Sequence, residues 1–211
     1  MLQLIFSLVE LNGYNRFMSE DKLIFRHFLQ DHINLPKNEW AEFLSIWKPY
    51  HAARKQYLSK PDEKEKYLYF ILKGAQRIFY TDFDEKEATL IFTYPHSFGG
   101  VADSFLLQQP SKYYYETLTS SRFLRTSHSE LAFLRSKIPT VNSFFQEATH
   151  QAFSGLLARM VELQCFSSTE KFKKLLERSP HILQIVPQKY LANYIGIDPT
   201  NFSKLLHSIK L

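Results

Sequence analysis

The sequence predicts an α+β fold: an N-terminal antiparallel β-roll, one long helix after it, and a pair of short helices at the C-terminal end. Three observations carry this. Short runs rich in Tyr, Phe, Ile, Leu and Thr, separated by turns, crowd residues 57–133, with no helical period among them. A Pro-free stripe of apolar residues with helical period then runs from Thr140 to about Cys165. Residues 186–211 carry two sets of helix start and stop signals around a glycine. With 211 residues the chain suits one large domain or two small ones, and 45% apolar and 16% aromatic residues provide for a core and exclude disorder.

The elements follow in order. The opening MLQLIFSLV is apolar but lacks a basic n-region and a small-residue cleavage site. Met18 precedes Ser19-Glu20-Asp21, a helix N-cap with an acidic first turn. Residues 1–17 therefore read as a non-native or mis-started leader, and nothing else depends on them. Leu23, Ile24, Phe28 and Ile33, then Trp40, Phe43, Leu44 and Trp47, predict two helices. Strands are expected at 67–72, 75–80, 89–94, 113–118 and 122–126, with a polar tip at 82–87 and a turn at 95–100. Several strands at this spacing predict a sandwich or barrel, here a cupin-like jelly roll over 18–137, closed by a short helix at 129–136.

The long helix, 138–166, shows Phe144, Phe145, Ala148, Ala152, Leu156, Met160 and Leu163 every three to four residues. Such a stripe either packs on the roll or pairs with its own copy. Pairing in a two-fold homodimer, through Phe145, Ala152, Leu156 and Met160, is the preferred reading because a small roll seldom covers so long a helix. Ser167-x-x-Glu170 has capping-box spacing and opens the last segment, 167–211; Ser179-Pro180 ends its first helix.

Within that segment Pro187 suits a first helical turn, Leu191 and Ile195 face inward, and Ala192 is small where helices approach closely. Gly196 fits a left-handed C-cap. Asp198-Pro199 restarts a helix whose Phe202, Leu205, Leu206 and Ile209 form one face. Thr200, Asn201, Ser203, Lys204 and His207 are left on the other. This is the pattern of a helix-turn-helix that binds duplex DNA: amide and hydroxyl groups read base edges, and lysine addresses guanine or phosphate. Gln188 and Lys189, at the start of the preceding helix, complete the candidate DNA-binding set. Charge agrees. From Glu170 onward seven cations face three anions, a net +4, whereas the whole chain carries +5, so a basic tail follows a nearly neutral body.

Other classes find little support. A lone cysteine, Cys165, cannot make an internal disulfide or a multi-thiolate metal site, and a reducing, cytoplasmic setting is expected. No apolar run approaches the roughly 20 residues that span a bilayer. The eight histidines form no HxH or HExxH; His128-Ser129-Glu130 comes nearest, at a strand end where helix capping is the better reading. With no phosphate-cradling GxxxxGK[ST] and no GxSxG elbow, an enzyme is not expected, nor a metal or other cofactor.

The order of elements, with YLYFILKGAQRIFY at 67–80, FGG at 98–100 and YLANYIGIDPTNFSKLL at 190–206, resembles the Crp/Fnr superfamily of transcription regulators from about Met18 onward. The resemblance implies a cyclic-nucleotide-binding-like sensor roll, a winged-helix DNA-binding domain and a cytoplasmic homodimer on a pseudo-palindromic duplex. It leaves RNA polymerase and an unidentified small-molecule effector open as further partners, with no membrane involved. Departures matter. Members that bind cyclic AMP hold it with a glycine–glutamate pair and an arginine; here Gly99 is kept, Gly100 stands at or beside the glutamate position, and the arginine region reads Ser111-Lys112-Tyr113. Lysine lacks the bidentate fork of a guanidinium, so cyclic AMP is not the expected effector. Gly99, Gly100, Lys112 and Tyr113 mark where another effector would sit; Tyr113 and Tyr115 share a strand face and either line that pocket or, preferably, fill the core. In the recognition helix the family's usual arginine, glutamate and arginine correspond to Pro199, Thr200 and Lys204, so operator preference differs, and few residues follow for a wing. The alternative reading is a ligand- or partner-binding dimer whose DNA-binding helix is degenerate.

Overall fold

The structure, a computed structural model, describes residues 19–208; the leader read at 1–17 lies outside the described residues. Two helices, α1 (Glu20–Leu29) and α2 (Lys37–Ser45), precede the strands. These are β1 (Lys48–Ala52), β2 (Tyr57–Ser59), β3 (Tyr67–Lys73), β4 (Gln76–Thr81), β5 (Glu87–Thr93) and β6 (Phe98–Gly99), then, after helix α3 (Ala102–Leu107), β7 (Tyr114–Thr117) and β8 (Ser121–Ser127). Helices α4 (His128–Lys137), α5 (Pro139–Cys165), α6 (Ser168–Arg178), α7 (Ile182–Ile185), α8 (Gln188–Ile195) and α9 (Pro199–Ser208) complete the chain.

The strands form two four-stranded sheets, β1-β8-β3-β6 and β2-β7-β4-β5, in which every pairing is antiparallel. Between them Tyr69, Ile71, Ile78, Tyr115 and Phe123 are buried and fill the roll. A second core lies where α1, α2, α4 and the start of α5 cover the first sheet. There the Phe25 ring sits 4.4 Å from Phe70 and 4.6 Å from Trp47. The third joins α6 to α9 through Phe172, Leu175, Leu191 and Phe202, and extends onto Ala75 and Leu118 of the roll.

Features that depart from the sequence reading include two short elements. Helix α3 lies between the strands, where no helix was expected. Its six residues are too few to show a period, but Phe105 is buried and Ser104 accepts a bond from the Glu65 amide while donating to the Gln109 carbonyl. Strand β1, where no strand was expected, contains Pro49; an outer strand tolerates proline, and β1 is outermost in its sheet.

Helix α5 has 27 residues, about 40 Å of helix at 1.5 Å per residue. Only Val141, Phe145 and Glu162 are buried along it. Phe145, assigned to the pairing seam from its spacing, instead packs in the core beneath α1 and α2, with its ring 5.8 Å from that of Phe98. Ala152, Leu156 and Met160 are exposed, and so are Phe153 and Leu163.

Candidate nucleic-acid interface

Helices α8 and α9 meet at a turn that the local chemistry dictates. Pro187 takes the N-cap rather than the first helical position, so Gln188 and Lys189 open α8 and are exposed. Leu191, Ala192 and Ile195 are fully buried, as their spacing requires. Gly196 ends the helix at φ +84°, a left-handed conformation costly for a residue with a Cβ, and its N–H donates to the carbonyls of Ala192 and Asn193. The Asp198 carboxylate then accepts the Asn201 N–H at 2.9 Å and caps α9. That bond comes first among those that hold the Asp198 carboxyl below its ordinary pKa.

Helix α9 is anchored by Phe202, fully buried with its ring 5.3 Å from that of Phe172. Leu205 and Leu206 are half-buried beside it. Thr200, Asn201, Lys204 and His207 are exposed and Ser203 half-buried, so the polar residues share the outward side. The Asn201 carboxamide donates to Asp198, a bond that reading a base would exchange. This arrangement offers a helix-wide polar ridge, which suits a groove edged by phosphates.

The unit is seated on the roll. Strand β5 is outermost in its sheet. The Asn193 carboxamide accepts the Thr89 N–H at 2.6 Å and donates to the Glu87 carbonyl at 2.7 Å. Arg77, 2% exposed, lies between the rings of Phe79 (3.8 Å) and Tyr190 (4.1 Å). Its N–H groups reach Glu116 at 3.0 Å and Glu87 at 2.6 Å. Burial alone would lower the Arg77 pKa; the two carboxylates outweigh it and raise it. Lys55 bonds both Glu116 and the Tyr190 hydroxyl. From the long helix, Arg159 donates to the Tyr194 carbonyl and, with Arg178, to the buried Glu162. Sequence reading had no means to find this cluster, because the hydrogen bonds of Asn193 and Tyr190 to the roll span 104 to 135 residues.

The proposed effector positions differ in their surroundings. A Cβ on Gly99 would lie 2.2 Å from the Tyr115 hydroxyl, so that ring packs directly against the Gly99 backbone. Tyr115 is fully buried and shares a hydrogen bond of 3.0 Å with Thr93. Gly100 faces the Glu65 carboxylate, Lys112 is exposed, and Tyr113 is half-buried against the roll's interior. Glu65, missed in the sequence, is 1% exposed and accepts N–H groups from Tyr67 and Val101 at 3.2 Å each. Burial raises its carboxyl to about 7. Near His128, Glu130 closes a capping box with Ser127 and the imidazole stacks edge-on to Phe105. Among the described residues no group of three potential metal ligands forms, and no helix is long and apolar enough to cross a membrane.

No family model matches the chain, and no curated protein matches it. Solved structures do. FixK2 from Bradyrhizobium japonicum superposes with a TM-score of 0.69 at 14% identity, over 77% of this chain and 84% of that one. The c-di-GMP-responsive global regulator CLP of Xanthomonas campestris gives 0.61 at 15% identity, over 82% and 91%. The catabolite activator protein of Thermus thermophilus gives 0.53 at 17%, over 83% and 84%. The fold of this chain is therefore that of the Crp/Fnr regulators, as the motifs of its sequence suggest.

Proposed function

We propose that the protein is a homodimeric, sequence-specific DNA-binding transcription regulator that lays α9 of each protomer into the major groove of a pseudo-palindromic duplex. The observation that carries this is the two-sidedness of α9: Phe202 fully buried, Thr200, Asn201, Lys204 and His207 exposed. Asn201 and Lys204 read base edges, Thr200, Ser203 and His207 flank them, and Gln188 and Lys189 address the backbone. The exposed stripe of α5 supports pairing. Phe153, Leu156, Met160 and Leu163 are 48–62% exposed and spaced three, four and three apart, as in a two-helix seam. The roll does not take cyclic AMP on this reading, since Gly100 stands at or beside the position of the ribose-binding glutamate and Ser111-Lys112-Tyr113 offers no guanidinium fork.

Selection from random duplexes, followed by gel shift, tests it. Asn201→Ala and Lys204→Ala each weaken the selected site by about 1–3 kcal/mol. Lys189→Ala weakens selected and unrelated duplexes alike and lowers the salt slope by about one. Equal retention of the wild type and the Asn201→Ala/Lys204→Ala double variant would leave only the dimer with a degenerate DNA-binding helix.

A further inference from the structure

We infer that Asn193, with Arg77 and Tyr190, is a positioning set: it fixes the helix-turn-helix on the roll, and so fixes the half-site spacing that the paired α9 helices accept. The inference rests on the DNA reading above. An outer strand presents N–H and C=O groups that lack a neighbouring strand. On β5 those of Thr89 and Glu87 are satisfied by one carboxamide, which offers its oxygen to the first and its N–H to the second as a peptide group of a ninth strand would. Three residues earlier on the same helix face, the Tyr190 ring covers the Arg77 guanidinium, whose other face lies on Phe79. Next to Asn193, the Tyr194 ring lies 5.3 Å from that of Phe92.

Anchors at 190, 193 and 194 oppose both rotation of α8 about its axis and sliding along β5. Helix α9 follows α8 through the Gly196 turn and the shared core. The exposed residues of α9 take no part in the seat, so it orients the reading surface without covering it. In a dimer of this kind half-sites lie about one helical turn of DNA apart, roughly 34 Å, and only a held head enforces one separation.

The test uses the full chain and a duplex series in which the selected half-sites are moved apart or together by one and two base pairs. The wild type prefers one spacing by about tenfold or more, and Asn193→Ala reduces that preference to about threefold while single half-site binding is unchanged. Tyr190→Phe, which keeps the ring over Arg77, retains the wild-type preference. A variant that was merely less stable would lose affinity at every spacing alike. An Asn193→Ala protein with the wild-type spacing preference overturns the inference. A wild type that retains no duplex overturns the DNA reading instead. The seat is then judged by the distance distribution between labels at Lys73→Cys and Ser208→Cys in a Cys165→Ser background, diluted with unlabelled chain. It broadens in Asn193→Ala, and an unchanged width overturns the inference on its own.

Discussion

At the scale of single residues the roll is organised around groups whose partners are distant in sequence. Glu65 is the clearest. Its carboxyl is buried beneath α3, bridges the amides of Tyr67 and Val101, and titrates near 7 instead of its ordinary 4.5, chiefly because burial disfavours the charge. The folded protein thus holds this proton more tightly than the unfolded chain does. The resulting stability is complete below about pH 4.5, falls as the pH rises, and is lost above about pH 7, a contribution of about 3 kcal/mol. Urea unfolding at pH 5 and pH 8 shows this loss in the wild type, and Glu65→Gln removes the increment. A profile in Glu65→Gln as steep as the wild type's would assign the pH dependence elsewhere. Nothing in the local sequence, EKEKYLYF, distinguishes Glu65 from its exposed neighbour Glu63; only the return of the chain at Val101 buries it.

Among the elements, α5 invites the sharpest expectation. Its first two turns are consumed by the core, through Val141 and Phe145, and its later turns expose Phe153, Leu156, Met160, Val161 and Leu163. A monomer would leave this apolar surface in water, whereas a two-fold partner removes it. Leu156→Asp with Met160→Asp should therefore convert a dimer to a monomer in sedimentation analysis while the far-ultraviolet dichroism is kept; a wild type that sediments as a monomer defeats the pairing outright. Periodicity made this helix legible to within a residue at its start, and capping chemistry did the same for α6, whose Ser167–Glu170 box forms as spaced. Spacing alone could not tell Phe145 from Leu156, because a stripe with one period meets the roll at one end and leaves it at the other. The short elements β1 and α3 were illegible for a different reason: neither is long enough to display a period, and both are held by contacts distant in the chain.

For the whole molecule, the two ends of the chain share one interior. The sequence reading divides the chain at 137 and 166, and composition supports the division, since the C-terminal segment is basic and has its own helix signals. The side chains cross it. Ala75 and Leu118 of the roll belong to the core built by Phe172, Leu191 and Phe202, with Phe92 and Tyr94 packed against it, and Tyr94 bonds Ser179 across the junction. Arg77, ion-paired with Glu116 at the same seam, takes part of its cover from the Tyr190 ring of α8. The roll and the helix-turn-helix should therefore unfold together. Both tryptophans, Trp40 and Trp47, lie in the core beneath α1 and α2, far in sequence from the C-terminal helices, so their fluorescence reports on the roll. Leu191→Ala removes a fully buried side chain from the C-terminal core and should cost about 2–5 kcal/mol. If the two parts are one cooperative unit, the tryptophan-detected urea midpoint falls with Leu191→Ala and coincides with the midpoint from helical dichroism. If the tryptophan transition stays at its wild-type position while helical signal is lost earlier, the seam is too weak to couple them. The seat on β5 would then be a contact made and broken freely, and no fixed spacing could follow from it.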